Sequence, residues 1–233
     1  GDAEASTGET ANFEAVNSTL KSATEGTMFY VTNTEANIIL EDNTLDFDSD
    51  KAALLTIQGN NANNWGTAGS NGGKVNFIGI NQELSGKISV DSISSLNLFL
   101  TEETTYNGET DITANEENTA SAETPVTVTI DKTSKWVMTA DSQITNLNLE
   151  TGGEIVDEDG KSATIIADGE TVVEGTGSTT LTVTGTYSTQ TNLNENNQLS
   201  EPSIARTDFD QPYPLSASFT NTSAETQTNS TKN

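Results

Sequence analysis

Three aspartates stand at alternate positions early in the sequence, at Asp46, Asp48 and Asp50. Carboxylates this close together repel one another unless a cation binds them or water solvates them fully. The spacing predicts a calcium site, because calcium takes its ligands from carboxylate and carbonyl oxygens. The glycine and the distal glutamate of an EF-hand loop are missing. The alternative is a solvated acidic corner without a metal.

A loop rich in glycine and asparagine contains Asn64, Trp65 and Asn71, which we predict to be ligand-binding residues. An exposed indole stacks on a sugar face through apolar and polarised contacts. The alternative for Trp65 is a buried anchor of the loop. Tyr106 is a weaker candidate for the same kind of sugar contact. Trp136 is predicted to pack in the core, because a large side chain in an apolar strand is usually buried.

Catalysis has few groups to draw on, since the chain contains neither cysteine nor histidine. Thiol nucleophiles, disulfides and the usual general base near neutral pH are therefore excluded. A glycoside hydrolase needs only two carboxylates, but 35 acidic residues make their presence uninformative. Lys74 and Lys87 stand at strand starts, and Arg206, the single arginine, lies in a polar C-terminal region. The sequence predicts a protein that is not an enzyme, with a polysaccharide lyase as the catalytic alternative.

The net charge of −26 excludes several partners. Nucleic acids and anionic membranes both require cationic side chains, and only nine are present. Self-repulsion of this size indicates that divalent cations or salt screen the fold. An acidic chain without cysteine predicts an extracellular or bacterial cell-surface location, and a secreted chain would then be the mature form.

Short strand-like segments account for most of the chain, and no apolar period of 3.6 residues persists over three turns. The segments are residues 28–32, 37–40, 45–47, 52–57, 74–80, 87–90, 96–100, 126–130, 135–138, 144–149, 163–167 and 179–184. The domain is therefore predicted to be all-β. Polar stretches divide the chain into an N-terminal linker (1–26), a β domain (27–187) and a tail rich in proline, threonine and asparagine (188–233).

Apolar residues recur at a spacing of about 20 to 30 residues, which is typical of the coil of a β-solenoid. They are Leu55, Phe77, Leu98, Val128 and Leu147. We predict that these side chains share one solenoid core. A β-sandwich is the alternative architecture, because it also uses many short strands joined by turns.

Residues 55–73, 90–96 and 134–147 resemble the clostridial-type cellulose- and pectin-binding β-helix family. The resemblance covers about residues 27–187. It implies a right-handed parallel β-helix similar to pectate lyases, a calcium-containing surface protein and a cellulose or pectin ligand. The acidic insertion at 113–124 and the irregular coil after Leu149 depart from the family pattern, so the ligand does not follow directly from the resemblance.

The resulting prediction is a non-catalytic, calcium-assisted extracellular module that binds plant cell-wall polysaccharide. Pectin is acidic and requires a bridging ion on so acidic a chain, whereas cellulose is neutral and requires only an aromatic or polar flat face. Two alternatives remain open: a structural, adhesin-like surface stalk and a polysaccharide lyase.

Overall fold

The computed structural model describes residues 10–23, 25–60, 66–118 and 125–190, and every regular element in these ranges is a β-strand. The strands form a parallel β-helix, in which each coil of the chain stacks on the preceding one. This confirms the predicted all-β solenoid over the sandwich. Within the same ranges, no helix has the length and apolar character needed to cross a membrane.

Each of the first five coils contributes three strands, one to each face of the solenoid. These strands are β1 (Ala11–Val16), β2 (Thr19–Lys21), β3 (Phe29–Val31), β4 (Glu35–Glu41), β5 (Thr44–Asp46), β6 (Leu55–Ile57), β7 (Lys74–Ile80), β8 (Glu83–Ser85), β9 (Ile88–Asp91), β10 (Ser95–Thr101), β11 (Thr105–Asn107), β12 (Thr110–Thr113), β13 (Val126–Ile130), β14 (Lys135–Met138) and β15 (Ser142–Ile144). The remaining strands are β16 (Asn146–Leu149), β17 (Glu154–Asp157), β18 (Thr164–Ala167), β19 (Glu170–Val173), β20 (Thr180–Val183) and β21 (Tyr187–Ser188).

The first face is one seven-stranded parallel sheet in the order β1-β4-β7-β10-β13-β16-β21. The second face carries β2-β5 followed by β8-β11-β14-β17, and the third carries β3-β6-β9-β12 followed by β15-β20-β18-β19. The β18–β19 pair is antiparallel, whereas the other paired strands are parallel. A hairpin therefore forms the outer edge of the third face.

The core contains a ladder of apolar side chains that lie directly above one another on the first face. Its members in register are Ile38, Phe77, Leu98, Val128 and Leu147. Four of them belong to the predicted set. The fifth predicted residue, Leu55, enters the same core from β6 on the third face, where it pairs with Ile88. The prediction of one shared core is confirmed.

Asparagine side chains form a second ladder on the outer side of the first face. Asn37 Nδ2 donates to Asn12 Oδ1 at 2.8 Å, and Asn76 Nδ2 donates to Asn37 Oδ1 at 2.8 Å. Asn97 Nδ2 then donates to Asn76 Oδ1 at 2.9 Å. Each amide therefore hydrogen-bonds to its equivalent in the next coil, which joins four coils by side chains as well as by backbone.

The residue that follows each of the first four strands of this face has a positive φ. The residues are Asn17 (47°), Asp42 (52°), Asn81 (46°) and Glu102 (53°). Asparagine and aspartate tolerate this left-handed conformation better than most residues, because their short polar side chains bond locally. The repeated corner explains why asparagine or aspartate follows three of these four strands, whereas Glu102 adopts the same conformation without that advantage.

The N-terminal boundary of the β domain was predicted too late in the chain. β1 and β2 both lie within the predicted linker (1–26), and they pair with β4 and β5. The sparse apolar residues suggested a linker, but a first coil needs few of them, since the second coil supplies its backbone partners. β21 lies at the predicted C-terminal boundary, and residues 191–233 of the predicted tail lie outside the described residues.

Candidate functional site

A polar groove of about 530 Å³ follows the corner between the second and third faces. We call it the corner groove; it is lined by residues 49–53, 85–87 and 107–109, together with Thr139 and Glu158. These residues come from consecutive coils. Neighbouring strands of a sheet lie about 4.8 Å apart, so an extended polymer along the solenoid axis meets a corner of the same kind at each coil.

Two glycines keep the corner groove open. Gly86 has a φ of +109°, a conformation that side chains rarely adopt. A Cβ atom on Gly108 would lie 2.2 Å from the carbonyl oxygen of Gly86, which is too close for any side chain. The two corners therefore stack backbone on backbone, and no side chain fills the groove at these positions.

A buried aromatic pair supports the corner groove from inside the core. Tyr106 and Trp136 are both 0% exposed, and their ring centroids are 5.5 Å apart. Tyr106 Oη donates to the carbonyl oxygen of Glu109 at 2.6 Å, and Trp136 Nε1 donates to that of Gly108 at 2.9 Å. Burial raises the pKa of Tyr106, so the phenol keeps the proton that it donates.

The predicted roles of these two aromatics have different outcomes. Trp136 packs in the core, as predicted. The prediction that Tyr106 contacts a sugar was wrong, because its ring is enclosed by the core and cannot stack on a ligand. Its hydroxyl instead holds the backbone that forms the groove.

Both lysine and carboxylate side chains line the groove. Lys87 Nζ lies 2.8 Å from Glu109 Oε1 and 3.6 Å from Asp111 Oδ2. The hydrogen bond to Glu109 raises the pKa of Lys87 more than any other interaction does, with partial burial opposing it. Lys51 pairs with Asp48 at 2.6 Å, and this hydrogen bond raises the pKa of Lys51. Both ammonium groups therefore remain charged near neutral pH.

The three aspartates of the predicted calcium site have different surroundings. Asp46 pairs with Lys21 at 2.5 Å, Asp48 pairs with Lys51, and Asp50 lines the corner groove. Within the described ranges, no group of three or more acidic side chains is placed to hold a metal ion. The structure therefore gives the calcium prediction at this cluster no support.

The predicted ligand-binding loop is described only in part. Asn64 and Trp65 lie outside the described residues. Asn71 is 1% exposed, and its Nδ2 donates to the carbonyl oxygen of Asn60 at 2.8 Å. The side chain of Asn71 is thus buried and cannot contact a surface ligand. The prediction that Asn71 binds ligand was wrong.

Sequence reasoning missed most of the residues that line the corner groove, including Asn107, Glu109 and Glu158. A signal was present in Ser85-Gly86-Lys87 and Asn107-Gly108-Glu109, two polar tripeptides with central glycines that occupy the same corner in consecutive coils. Such a repeat becomes recognisable only when the coil length is known.

Comparisons of the chain with protein-family models, curated proteins and solved structures found no match. The family resemblance of residues 27–187 therefore stays a prediction, and the corner groove is the feature of the structure that bears on function.

Proposed function

We propose that the protein is a non-catalytic extracellular module that binds polysaccharide in the corner groove. The observation that carries the proposal is the repetition of hydrogen-bonding groups along the solenoid axis. Hydroxyl, amide, ammonium and carboxylate groups succeed one another from coil to coil. Sugars present hydroxyl groups at regular intervals, so a repeating polar groove provides a partner for each successive unit.

The charges in the groove favour a neutral glycan such as cellulose. Three carboxylates, on Asp50, Glu109 and Glu158, line it beside the ammonium groups of Lys51 and Lys87. Each of these lysines already pairs with a carboxylate. An acidic polymer such as pectin therefore needs a bridging divalent cation, and calcium assistance belongs to that ligand alone.

The state of Lys87 supports binding over catalysis. A lyase requires an unprotonated base beside the substrate, and base catalysis works best when the pKa lies near the working pH. Glu109 shifts the pKa of Lys87 in the opposite direction, away from neutrality. The extracellular location is supported by the net charge of −26 and the lack of cysteine in the sequence.

The proposal is tested by measuring how strongly the protein binds soluble and insoluble plant glycans, with and without chelator. Lys51→Ala combined with Asn107→Ala removes two exposed groove groups, and we expect this variant to weaken binding by at least about tenfold, or 1.4 kcal/mol. Lys74→Ala combined with Asn97→Ala is the matched control, because it makes the same changes on the first face. Equal losses in the two variants would place binding elsewhere.

The same samples distinguish a lyase from a binding module. Incubation with pectin should release no unsaturated sugar products, at neutral or alkaline pH, with calcium present. Accumulation of such products would overturn the non-catalytic assignment.

A structural stalk is the second candidate, and the asparagine ladder favours it. Side-chain hydrogen bonds that connect four coils stiffen the solenoid whether or not a ligand is bound. Failure of the unmodified protein to retain any plant or microbial glycan would make the stalk the better assignment.

A further inference from the structure

The first coil leaves apolar side chains exposed at the N-terminal end of the solenoid. Four large apolar side chains are exposed among the described residues, and three of them belong to this coil. They are Phe13, Val16 and Tyr30, with exposed fractions of 42%, 46% and 40%. Phe13 pairs with Ile38, which is 4% exposed and belongs to the inward ladder of the first face. The described coils therefore cover this core position from one side only.

The aromatic rings at this end connect the core to an open cavity. The ring centroid of Phe13 lies 5.9 Å from that of Phe29, which lies 5.8 Å from that of the fully buried Phe77. A cavity of about 690 Å³ opens beside Phe13 and Phe29, and its lining includes Val31 and Ile38 from the core. Apolar surface that is open to water in this way marks an interaction site.

The backbone is also open at this end. β1, β2 and β3 are the outermost strands of the three faces, and each pairs with a strand of the next coil on one side only. β1 is the longest of these edges, with six residues and no proline. An unpaired edge of this kind is a template for pairing with a strand of another molecule.

The distribution of charge favours contact at this end over the opposite end. Residues 10–31 contain one lysine and two glutamates, whereas residues 146–188 contain one lysine and eight carboxylates. Two strongly acidic ends repel each other, so in a chain of net charge −26 contact costs least between two first coils. A second copy of the chain provides such a coil, with the same apolar side chains and the same open edges.

We propose that two copies of the chain form a head-to-head dimer, in which β1 of one copy pairs antiparallel with β1 of the other. A two-fold axis relates the copies, so the same surface is used on both. The core residues stay inward only in registers that set either Phe13 or Glu14 opposite its own equivalent, near the middle of the strand. Like charges directly opposite destabilise a strand pair, which selects the Phe13 register. Asn12 then lies opposite Glu14 of the second copy.

Sedimentation equilibrium of the full chain tests the dimer, and this test does not depend on polysaccharide binding. We expect a mass that approaches twice 24.6 kDa as the protein concentration rises. Residues 1–9 add three carboxylates, so salt should strengthen the dimer by screening them. Phe13→Asp should raise the dissociation constant of the dimer by at least about tenfold. Val172→Asp makes the same change at the exposed apolar residue of β19 and should have no effect.

A single cysteine tests the register, because the chain contains none of its own. Opposite residues of an antiparallel pair have Cβ atoms about 4.5 to 5.5 Å apart, close to the separation in a disulfide. Mild oxidation of Phe13→Cys should therefore give a covalent dimer on a non-reducing gel, whereas Val172→Cys should stay monomeric. This measurement remains decisive if Phe13→Asp fails to fold. A monomer at every protein concentration, equal weakening by the two aspartate variants, or no cross-link through position 13 would each overturn the proposal.

Discussion

Trp136 Nε1 donates a 2.9 Å hydrogen bond to the carbonyl oxygen of Gly108, which belongs to the preceding coil. The bond connects a fully buried indole to a corner that lines the groove. Gly108 N in turn donates to the carbonyl oxygen of Val137, beside the indole. The shape of the groove therefore depends on a side chain that no ligand can touch.

Trp136→Phe should destabilise the fold by about 1 to 3 kcal/mol, because it leaves the Gly108 carbonyl without its buried donor. Urea denaturation followed by far-UV circular dichroism measures the change. Tyr106→Phe is a companion variant, since it removes only the hydroxyl that bonds to Glu109. If Trp136→Phe unfolds at the same urea concentration as the unmodified chain, the hydrogen bond does not stabilise the corner.

The asparagine ladder predicts that an internal asparagine contributes more to the stability of the fold than a terminal one. Asn76 both donates to Asn37 and accepts from Asn97, so Asn76→Ala breaks two ladder bonds, whereas Asn97→Ala breaks one. At about 1 kcal/mol for each bond, the two losses of stability should differ by roughly that amount. Thermal denaturation of both variants gives the comparison. Equal losses would show that the amides bond no better to one another than to water.

Gly108→Ala should destabilise the protein through steric overlap, since its Cβ would meet the Gly86 carbonyl oxygen. We expect a loss of about 1 to 3 kcal/mol, as for other overpacked sites. Gly160→Ala is the control: Gly160 has a φ of +74°, but nothing lies within 4 Å of its added Cβ. A smaller loss at Gly108 than at Gly160, measured by urea denaturation, would contradict the stacking of the two corners.

Asp157 should make stability depend on pH in the acid range. Hydrogen bonds from the Ser178 and Lys161 amides hold its pKa below the ordinary value of 3.8. A lowered pKa in the folded state stabilises the fold above the unfolded pKa, and this contribution disappears as the pH falls through the folded pKa. Asp131 adds to the same effect: burial opposes its ionisation, but hydrogen bonds from Glu102 and Thr133 lower its pKa overall.

The experiment is the difference in Tm between the unmodified chain and Asp157→Asn, measured from pH 7 to pH 2. Taking the difference largely removes the general relief of charge repulsion that acid brings to this acidic chain. The difference should be large at neutral pH and should shrink below about pH 4. A difference that stays constant across the range would show that the carboxylate charge does not contribute.

Local pattern predicted most strands because the inward residues alternate with polar ones. β7, β13 and β14 coincide with predicted segments. The recurrence of apolar residues such as Phe77 and Leu98 correctly predicted that these residues stack in successive coils. The three-residue strands β8 and β11 were missed, although the equally short β3, β5 and β6 overlap predicted segments. β1 was missed because its sparse apolar residues indicated a polar linker, whereas β4 supplies its backbone partners.

The candidate site was harder to predict than the fold. Tyr106 and Asn71 were chosen as residue types that often bind sugars, yet their burial depends on which face of a coil they occupy. The corner groove is assembled from residues about one coil apart. A carboxylate such as that of Glu109 looks ordinary in a chain with 35 acidic residues until its neighbours are known.

The antiparallel hairpin of β18 and β19 affects how one molecule can meet another. A solenoid whose end strand runs parallel offers its backbone as a template on which a further coil, or another molecule, can continue the sheet. β19 runs the opposite way, and Glu170, Thr171 and Val172 on it are exposed. On the third face, growth in parallel register is interrupted at this strand. The hairpin thus ends the parallel continuation of that face, and another chain that reaches this edge meets β19 and the exposed carboxylate of Glu170.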